Sequence, residues 1–349
     1  MRAFQMVEVS PSAPFDMGVQ YGRQAREKIL AGIEGYKRLF LETSGMPWGE
    51  ISNYAREFIP GAEETMPDVM AEVRGIAEGA GASEGDLMAL NCRYEITKFP
   101  RPEECTSFAL LSETLRDGGP LVGQNWDYRA GIIENIVIIH ARCSDGTRVL
   151  GLAEAGQVIR NGFNSHGIGL CANNLQSVCD RRGVGIPVTF LRRRILSCRT
   201  FDEAIGVVKN SRREVSCNLM IASSDGRAAD LETYPGGFDL IEPEGGMITH
   251  ANHFVANPKN EALETSPRGD RLRGLFEEKS GDIDVPYVIR SLCDHENYPK
   301  AICRHPSDVG MPLERRGITV AGVVYDLGKG IARICAGPSC EGEFVEYRL

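Results

Sequence analysis

Between residues 16 and 41 the apolar and aromatic positions Met17, Tyr21, Ala25, Ile29, Ile33, Tyr36 and Phe40 recur every three or four residues. That spacing keeps them on one face of an α-helix. Gly18, Gly22, Gly32 and Gly35 interrupt the stripe, and each costs a helix about 1 kcal/mol relative to alanine, so the pattern predicts helix with weak points. Residues 51–58, 66–81 and 84–97 also read as helices. Ser83 stands before Glu84-Gly85-Asp86, as an N-cap stands before an acidic first turn. The charged connector Lys98-Phe99-Pro100-Arg101-Pro102-Glu103-Glu104 ends this helical region.

Beyond Cys105 the pattern changes to short β-rich runs separated by turn signals. Residues 106–112 and 120–126 flank Asp117-Gly118-Gly119, and residues 132–143 and 147–153 flank Ser144-Asp145-Gly146; both pairs predict hairpins. Runs at 219–223, 228–233, 238–242, 317–326 and 330–336 repeat the style, with helices expected at 187–197 and 200–209. Antiparallel sheets with helices packed outside are the natural result. No repeat of fixed period divides the chain, so it reads as a helical segment, 1–104, followed by one catalytic region, 105–349.

Composition narrows the function. The 349 residues, 42% hydrophobic and 25% charged, suffice for a sizeable core. A net charge of −9 argues against nucleic acid, whose phosphates require a basic face; the short clusters Arg181-Arg182 and Arg192-Arg193-Arg194 read as solvated helix ends or salt bridges. No stretch approaches the ~18 apolar residues of a membrane span, and the start lacks a basic-then-apolar leader, so a cytoplasmic protein without membrane contact is expected. Eleven cysteines without Cys-x-x-Cys spacing suggest neither a disulfide framework nor a zinc knuckle, and no metal or cofactor is expected. Most of these thiols read as small buried hydrophobes.

Cys105 is the thiol that stands apart. It opens a predicted strand directly after the connector. Were the preceding peptide bond cut, one residue would carry a thiol and a free α-amine, whose ordinary pKa near ~8 suits a general base. A hairpin would bring Asp127, in Gly123-Gln124-Asn125-Trp126-Asp127-Tyr128, beside the start of that strand. There it could orient the amine or thiol, or simply cap the turn before Ala130-Gly131.

Cys105-Thr106 and Gly123-Gln124-Asn125-Trp126-Asp127 are followed by Glu154-Ala155-Gly156, Gly162-Phe163-Asn164-Ser165-His166-Gly167, Asn173-Asn174-Leu175 and Ala251-Asn252-His253-Phe254. Together with Leu90-Asn91-Cys92-Arg93-Tyr94-Glu95, Ile302-Cys303-Arg304-His305 and Gly337-Pro338-Ser339-Cys340, this order resembles the isopenicillin-N acyltransferase-like family, kin to choloylglycine hydrolases, penicillin V acylase and acid ceramidase. The resemblance implies an α+β fold, the four-layer αββα sandwich of N-terminal-nucleophile hydrolases. It also implies self-cleavage between Glu104 and Cys105, with the two resulting chains remaining associated and a homo-oligomer left open. Cys105 becomes the nucleophile and Asp127 its partner. Gln124 stands where bile-salt hydrolases have an arginine. Asn252 is the implied side-chain oxyanion donor, and Asn174 or Asn173 the backbone donor. Arg268 or Arg271 pairs with the aspartate, supports the pocket, or is a surface charge; Thr106 and Thr319 fall near the substrate. His250, His253 and His305 read as packed neighbours. Glu104 departs from the pattern, since relatives commonly place a glycine before the nucleophile, where a small residue accommodates strain.

The expected chemistry is attack of the Cys105 thiolate on an amide or thioester carbonyl, followed by transfer of the acyl group to water or to a second amine. Water makes the enzyme an amidohydrolase acting on a small-molecule amide; an amine makes it an N-acyltransferase, with an acyl-CoA or aminoacyl donor. A non-catalytic scaffold of the same fold is the rival reading.

Overall fold

The computed structural model describes residues 3–96, 105–307 and 309–349. Its first element was not foreseen: β1 (Gln5–Ser12) is a strand with only Val7 and Val9 buried, too short an alternation to stand out. Helices follow as α1 (Pro14–Gln24), α2 (Arg26–Ser44), α3 (Trp48–Arg56), α4 (Ile59–Thr65), α5 (Pro67–Ala80), α6 (Glu84–Asn91) and α7 (Arg93–Ile96). The apolar stripe of residues 16–41 is thus two helices, broken at Ala25 with φ −102° and ψ 13°. Its glycines have a use that the pattern did not show. A Cβ on Gly18 would come within 2.1 Å of the Glu72 carbonyl oxygen, and one on Gly75 within 1.9 Å of the Phe15 oxygen. Bare glycines therefore let α1 and α5 pack backbone against backbone. Ser83 caps α6 as expected: its Oγ accepts from the Asp86 N–H at 3.1 Å.

After Cys105 come β2 (Thr106–Leu110), β3 (Leu121–Arg129), β4 (Ile136–Cys143), β5 (Arg148–Glu154), β6 (Asn161–Asn164) and β7 (Ile168–Asn174). Next are α8 (Val188–Ile195), α9 (Phe201–Lys209), β8 (Cys217–Ser223), β9 (Ala228–Tyr234), β10 (Gly237–Ile241) and β11 (Met247–His250). The chain closes with α10 (Arg268–Glu277), α11 (Val285–Leu292), β12 (Gly317–Asp326), β13 (Ile331–Ala336) and β14 (Val345–Arg348). The hairpins β2–β3 and β4–β5 are antiparallel, as the turn signals predict. The pattern had not marked β6, β7, β11, β14, α10 or α11.

One sheet has eight strands in the order β1-β4-β5-β6-β7-β8-β9-β10; the other has six, β11-β2-β3-β12-β13-β14. Along β4, Val137, Ile139 and Ala141 join the core shared with the helices. Ile136 and Ile138 join the core that also holds Trp126, Val320 and Val323 of the second sheet. Alternate residues of a strand face opposite sides, so β4 is buried on both. A third core packs α10 and α11, through Leu272, Phe276, Val288 and Leu292, onto the outer face of the six-stranded sheet at Phe108 and Leu110. Helices, sheet, sheet, helices: the order is αββα. The arginine clusters divide: Arg181, Arg182 and Arg194 are exposed, with Arg181 paired to Glu214, while Arg192 and Arg193 are buried and Arg193 donates from Nε to Glu72 at 2.8 Å. Among the described residues no helix is long and apolar enough to cross a membrane.

Candidate active site

Cys105 sits just before the first residue of β2, is 1% exposed, and packs in the core between the sheets. Thr106 pairs with Asn125 across the hairpin, which brings the end of β3 alongside. The Cys105 Sγ is 3.9 Å from the Asp127 main-chain oxygen. Glu104 and the connector before it lie outside the described residues. Cys171 is a second thiol close by; burial foremost, and then the neighbouring Cys105, push it well above the ordinary thiol range, so it remains protonated.

On Asp127, Oδ1 accepts from the Thr319 hydroxyl at 2.6 Å. Thr319 is held opposite Asp127 by the β12–β3 ladder. Its own Oγ1 accepts from the Arg304 N–H at 2.8 Å, and its N–H donates to the Arg304 carbonyl at 3.1 Å. Arg304 is therefore tied to the Asp127 carboxylate through one hydroxyl. Nothing in the local sequence marks Arg304 for this part beyond its place in the Ile302-Cys303-Arg304-His305 stretch.

Arg268 opens α10 and is 1% exposed. Its Nε donates to Thr106 Oγ1 at 3.1 Å, and its Nη2 to Asn252 Oδ1 at 2.8 Å and the Cys105 carbonyl at 3.4 Å. With Oδ1 so held, Asn252 turns its Nδ2 toward the Asn174 carbonyl, 2.8 Å away. Arg271, one turn later, is not drawn into this cluster: it pairs with Asp294 at 2.7 Å and Glu296 at 3.0 Å.

Asn173 and Gln124 brace the space between the sheets. The Asn173 Nδ2 donates to Ser107 Oγ at 2.9 Å and to the Ala251 carbonyl at 2.9 Å, while its Oδ1 accepts from Gln124 Nε2 at 2.8 Å. Gln124 also donates to the Ala172 carbonyl at 2.7 Å and accepts from Asn161 at 3.2 Å.

The loop carrying Asn252 is anchored from below. His250 places Nε2 2.8 Å from Glu232 and Nδ1 2.8 Å from the Ala251 carbonyl. The nearest neighbour of each ring nitrogen is an acceptor, with the Asn173 amide nitrogen farther from Nδ1 at 3.4 Å, an arrangement that the doubly protonated ring satisfies. Burial opposes that charge, but the Asp230 and Glu232 carboxylates outweigh it and raise the His250 pKa. Asp230 is itself pushed up to about 6 by burial, against the pull of His250 and Asn218. Glu232 also accepts from the N–H groups of Val255 and Ala256, at 2.5 and 3.0 Å.

His305, read as a packed neighbour, instead meets Cys303, Cys340 and His295. The absence of metal-ligand spacing in the sequence thus did not exclude a metal-ligand cluster in space, because these residues come from three separated segments.

A family model described as acyl-coenzyme A:6-aminopenicillanic acid acyl-transferase matches residues 114–339. The chain is 26% identical over 324 residues to the acyl-coenzyme A:6-aminopenicillanic-acid-acyltransferase 40 kDa form of Emericella nidulans, covering 90% of this chain and 87% of that one. Among solved structures it is similar to a variant of the conjugated bile acid hydrolase of Clostridium perfringens, with a TM-score of 0.48, 14% identity, and coverage of 70% of this chain and 97% of that chain. It is also similar to penicillin V acylase from Agrobacterium tumefaciens, with a TM-score of 0.43, 12% identity, and coverage of 66% and 83%.

Proposed function

The chain belongs to the acyl-coenzyme A:6-aminopenicillanic acid acyl-transferase family, and on that premise we propose that it is a self-processing thiol enzyme that cleaves or transfers the acyl group of a small-molecule amide or thioester. The carrying observation is the convergence of Cys105, Asp127 and the Asn252–Asn174 pair around the start of β2. Cleavage before Cys105 would free its α-amine on the residue that carries the thiol, which is 1% exposed. The α-amine takes the thiol proton, and the sulfur adds to the substrate carbonyl. Asn252 is the oxyanion donor: its amide nitrogen carries two hydrogens, of which the Asn174 carbonyl takes one. Each such donor is worth several kcal/mol when water is excluded. As the tetrahedral adduct collapses, the ammonium returns its proton to the leaving amine or thiol and a Cys105 thioester remains. Water or an amine then accepts the acyl group. Asp127, braced by Thr319, orients the amine, and Arg268 fixes the rotamer of Asn252.

Among the described residues no two cysteines form a disulfide, which fits a reducing compartment such as the cytoplasm. Intact-mass analysis of purified protein tests the proposal directly. Two fragments meeting at Glu104 and Cys105 are expected, with Cys105→Ala remaining one inactive chain; an active protein starting only at Met1 would overturn it.

A further inference from the structure

We propose that His295, Cys303, His305 and Cys340 form a binding site for one zinc ion. Their four donor atoms lie within 4.8 Å of one another. The two sulfurs are 3.6 Å apart, the two imidazole Nε2 atoms 3.1 Å, His305 Nε2 and Cys340 Sγ 3.2 Å, and Cys303 Sγ and His305 Nε2 3.9 Å. A tetrahedron with zinc–sulfur bonds of about 2.3 Å and zinc–nitrogen bonds of about 2.05 Å has edges of about 3.8, 3.4 and 3.6 Å for the sulfur–sulfur, nitrogen–nitrogen and mixed pairs. These four spacings fall within about 0.4 Å of those edges, and the two from His295 to the sulfurs are no longer than 4.8 Å.

A second observation concerns the tautomer. His305 Nδ1 is 3.2 Å from the Glu341 carboxylate. A carboxylate at that nitrogen holds the proton there and leaves the Nε2 lone pair directed at Cys340, His295 and Cys303, as in carboxylate–histidine–zinc triads. A mixed nitrogen and sulfur tetrahedron suits zinc better than the hard cations that take oxygen. Binding releases the two thiol protons to solvent, so two thiolates balance the ion's charge and the imidazoles remain neutral. With all four positions filled by protein, the ion has a structural role.

That role is to join three segments: the turn after α11, the strip before β12, and the loop between β13 and β14. Cys303 and His305 flank Arg304, whose backbone holds Thr319 and, through it, Asp127. The ion would thus fix the main chain one residue from a support of the candidate site. Metal binding itself does not depend on the reading of Cys105, and measuring it on the Cys105→Ala protein as well separates the two proposals.

The test is elemental analysis of protein prepared without a metal-affinity column, loaded with zinc and dialysed against metal-free buffer. About one zinc per chain is expected, with Cys340→Ser and His295→Ala retaining less than about a tenth of that. Cys179→Ser, at an exposed thiol outside the cluster, should retain the wild-type amount. Glu341→Gln should bind zinc about tenfold more weakly in chelator competition. Less than about a tenth of an equivalent in loaded wild-type protein would overturn the proposal even if the variants were insoluble. So would equal zinc in wild-type and Cys340→Ser protein, or a Cys303–Cys340 disulfide in fresh protein, seen as a mass lower by two thiol hydrogens.

Discussion

Thr319 joins two parts of the site through a single oxygen, accepting from the Arg304 amide while donating to Asp127. Valine keeps the shape of the side chain and removes the hydroxyl, taking one hydrogen bond from the Arg304 N–H and one from the Asp127 carboxylate, at about 1–3 kcal/mol. Thr319→Val is expected to lower kcat by about tenfold or more with little change in KM, and serine to restore it. A valine enzyme at the wild-type rate would take Thr319 out of the machinery. The buried His250 and Asp230 lead to a pH dependence. Both pKa values are raised in the fold, so the stability they contribute is present at low pH and declines as pH rises, through about 6 for Asp230 and then through the raised value of His250. Asp230→Asn removes the first contribution and shrinks the second. The difference between wild-type and variant unfolding free energies should therefore fall by on the order of 2 kcal/mol from pH ~4 to ~8, read from urea titrations; a flat difference would rule out this account. Cys105 and Asp127 stand out in the sequence through their places beside the connector and the hairpin, whereas Asn252 and Arg268 enter only through the family resemblance. Arg304 and the true place of Arg271 could not be read there: Arg304 meets Thr319 from a strip outside every marked element, and Arg271 lies on α10, which the apolar pattern did not reveal.

At the scale of elements, the crossing of α1 and α5 is governed by atoms that glycine lacks. Gly75→Ala would press a methyl group to within 1.9 Å of the Phe15 carbonyl; a loss of about 2–3 kcal/mol is expected, as in other overpacked contacts. Gly35→Ala in α2 meets nothing within 4 Å and should stabilise by roughly 0.5–1 kcal/mol through helix propensity. Chemical denaturation of the two variants checks the contrast, and equal effects would show that the close approach does not matter. Periodicity places Gly18, which meets the Glu72 carbonyl, and Gly35, which meets nothing, in one class, because the distinction arises only when a second helix arrives. Strands with strong turn signals, such as the β2–β3 hairpin, were legible. The edge strands β1 and β14 were not, since each buries too little to stand out from a loop.

For the molecule as a whole, the two sides of the proposed cleavage point are not separable bodies. The strand β1 pairs parallel with β4, and the helix-side core draws residues from before and after Cys105. Arg93 meets Glu154 at 2.5 Å, and Tyr36 donates to the same carboxylate at 2.7 Å. A buried pair of this kind costs about 3–5 kcal/mol to break from one side. Mature fragments should therefore co-elute in size-exclusion chromatography and part only in denaturant; separate elution in plain buffer would contradict this. Alternation and turns in the sequence foretold antiparallel sheets under helices, whereas the stacking of one sheet on another came from the family resemblance, since hydrophobic period does not specify a partner layer.

Newly made chain ends usually fray. The end generated before Cys105 would not, because β2 is laced on one edge to β3 through Thr106 and Asn125 and on the other to β11 through Ser107 and His250. An amine born there is immobilised at birth. The entropy of bringing base and sulfur together is then settled by folding, before any substrate arrives.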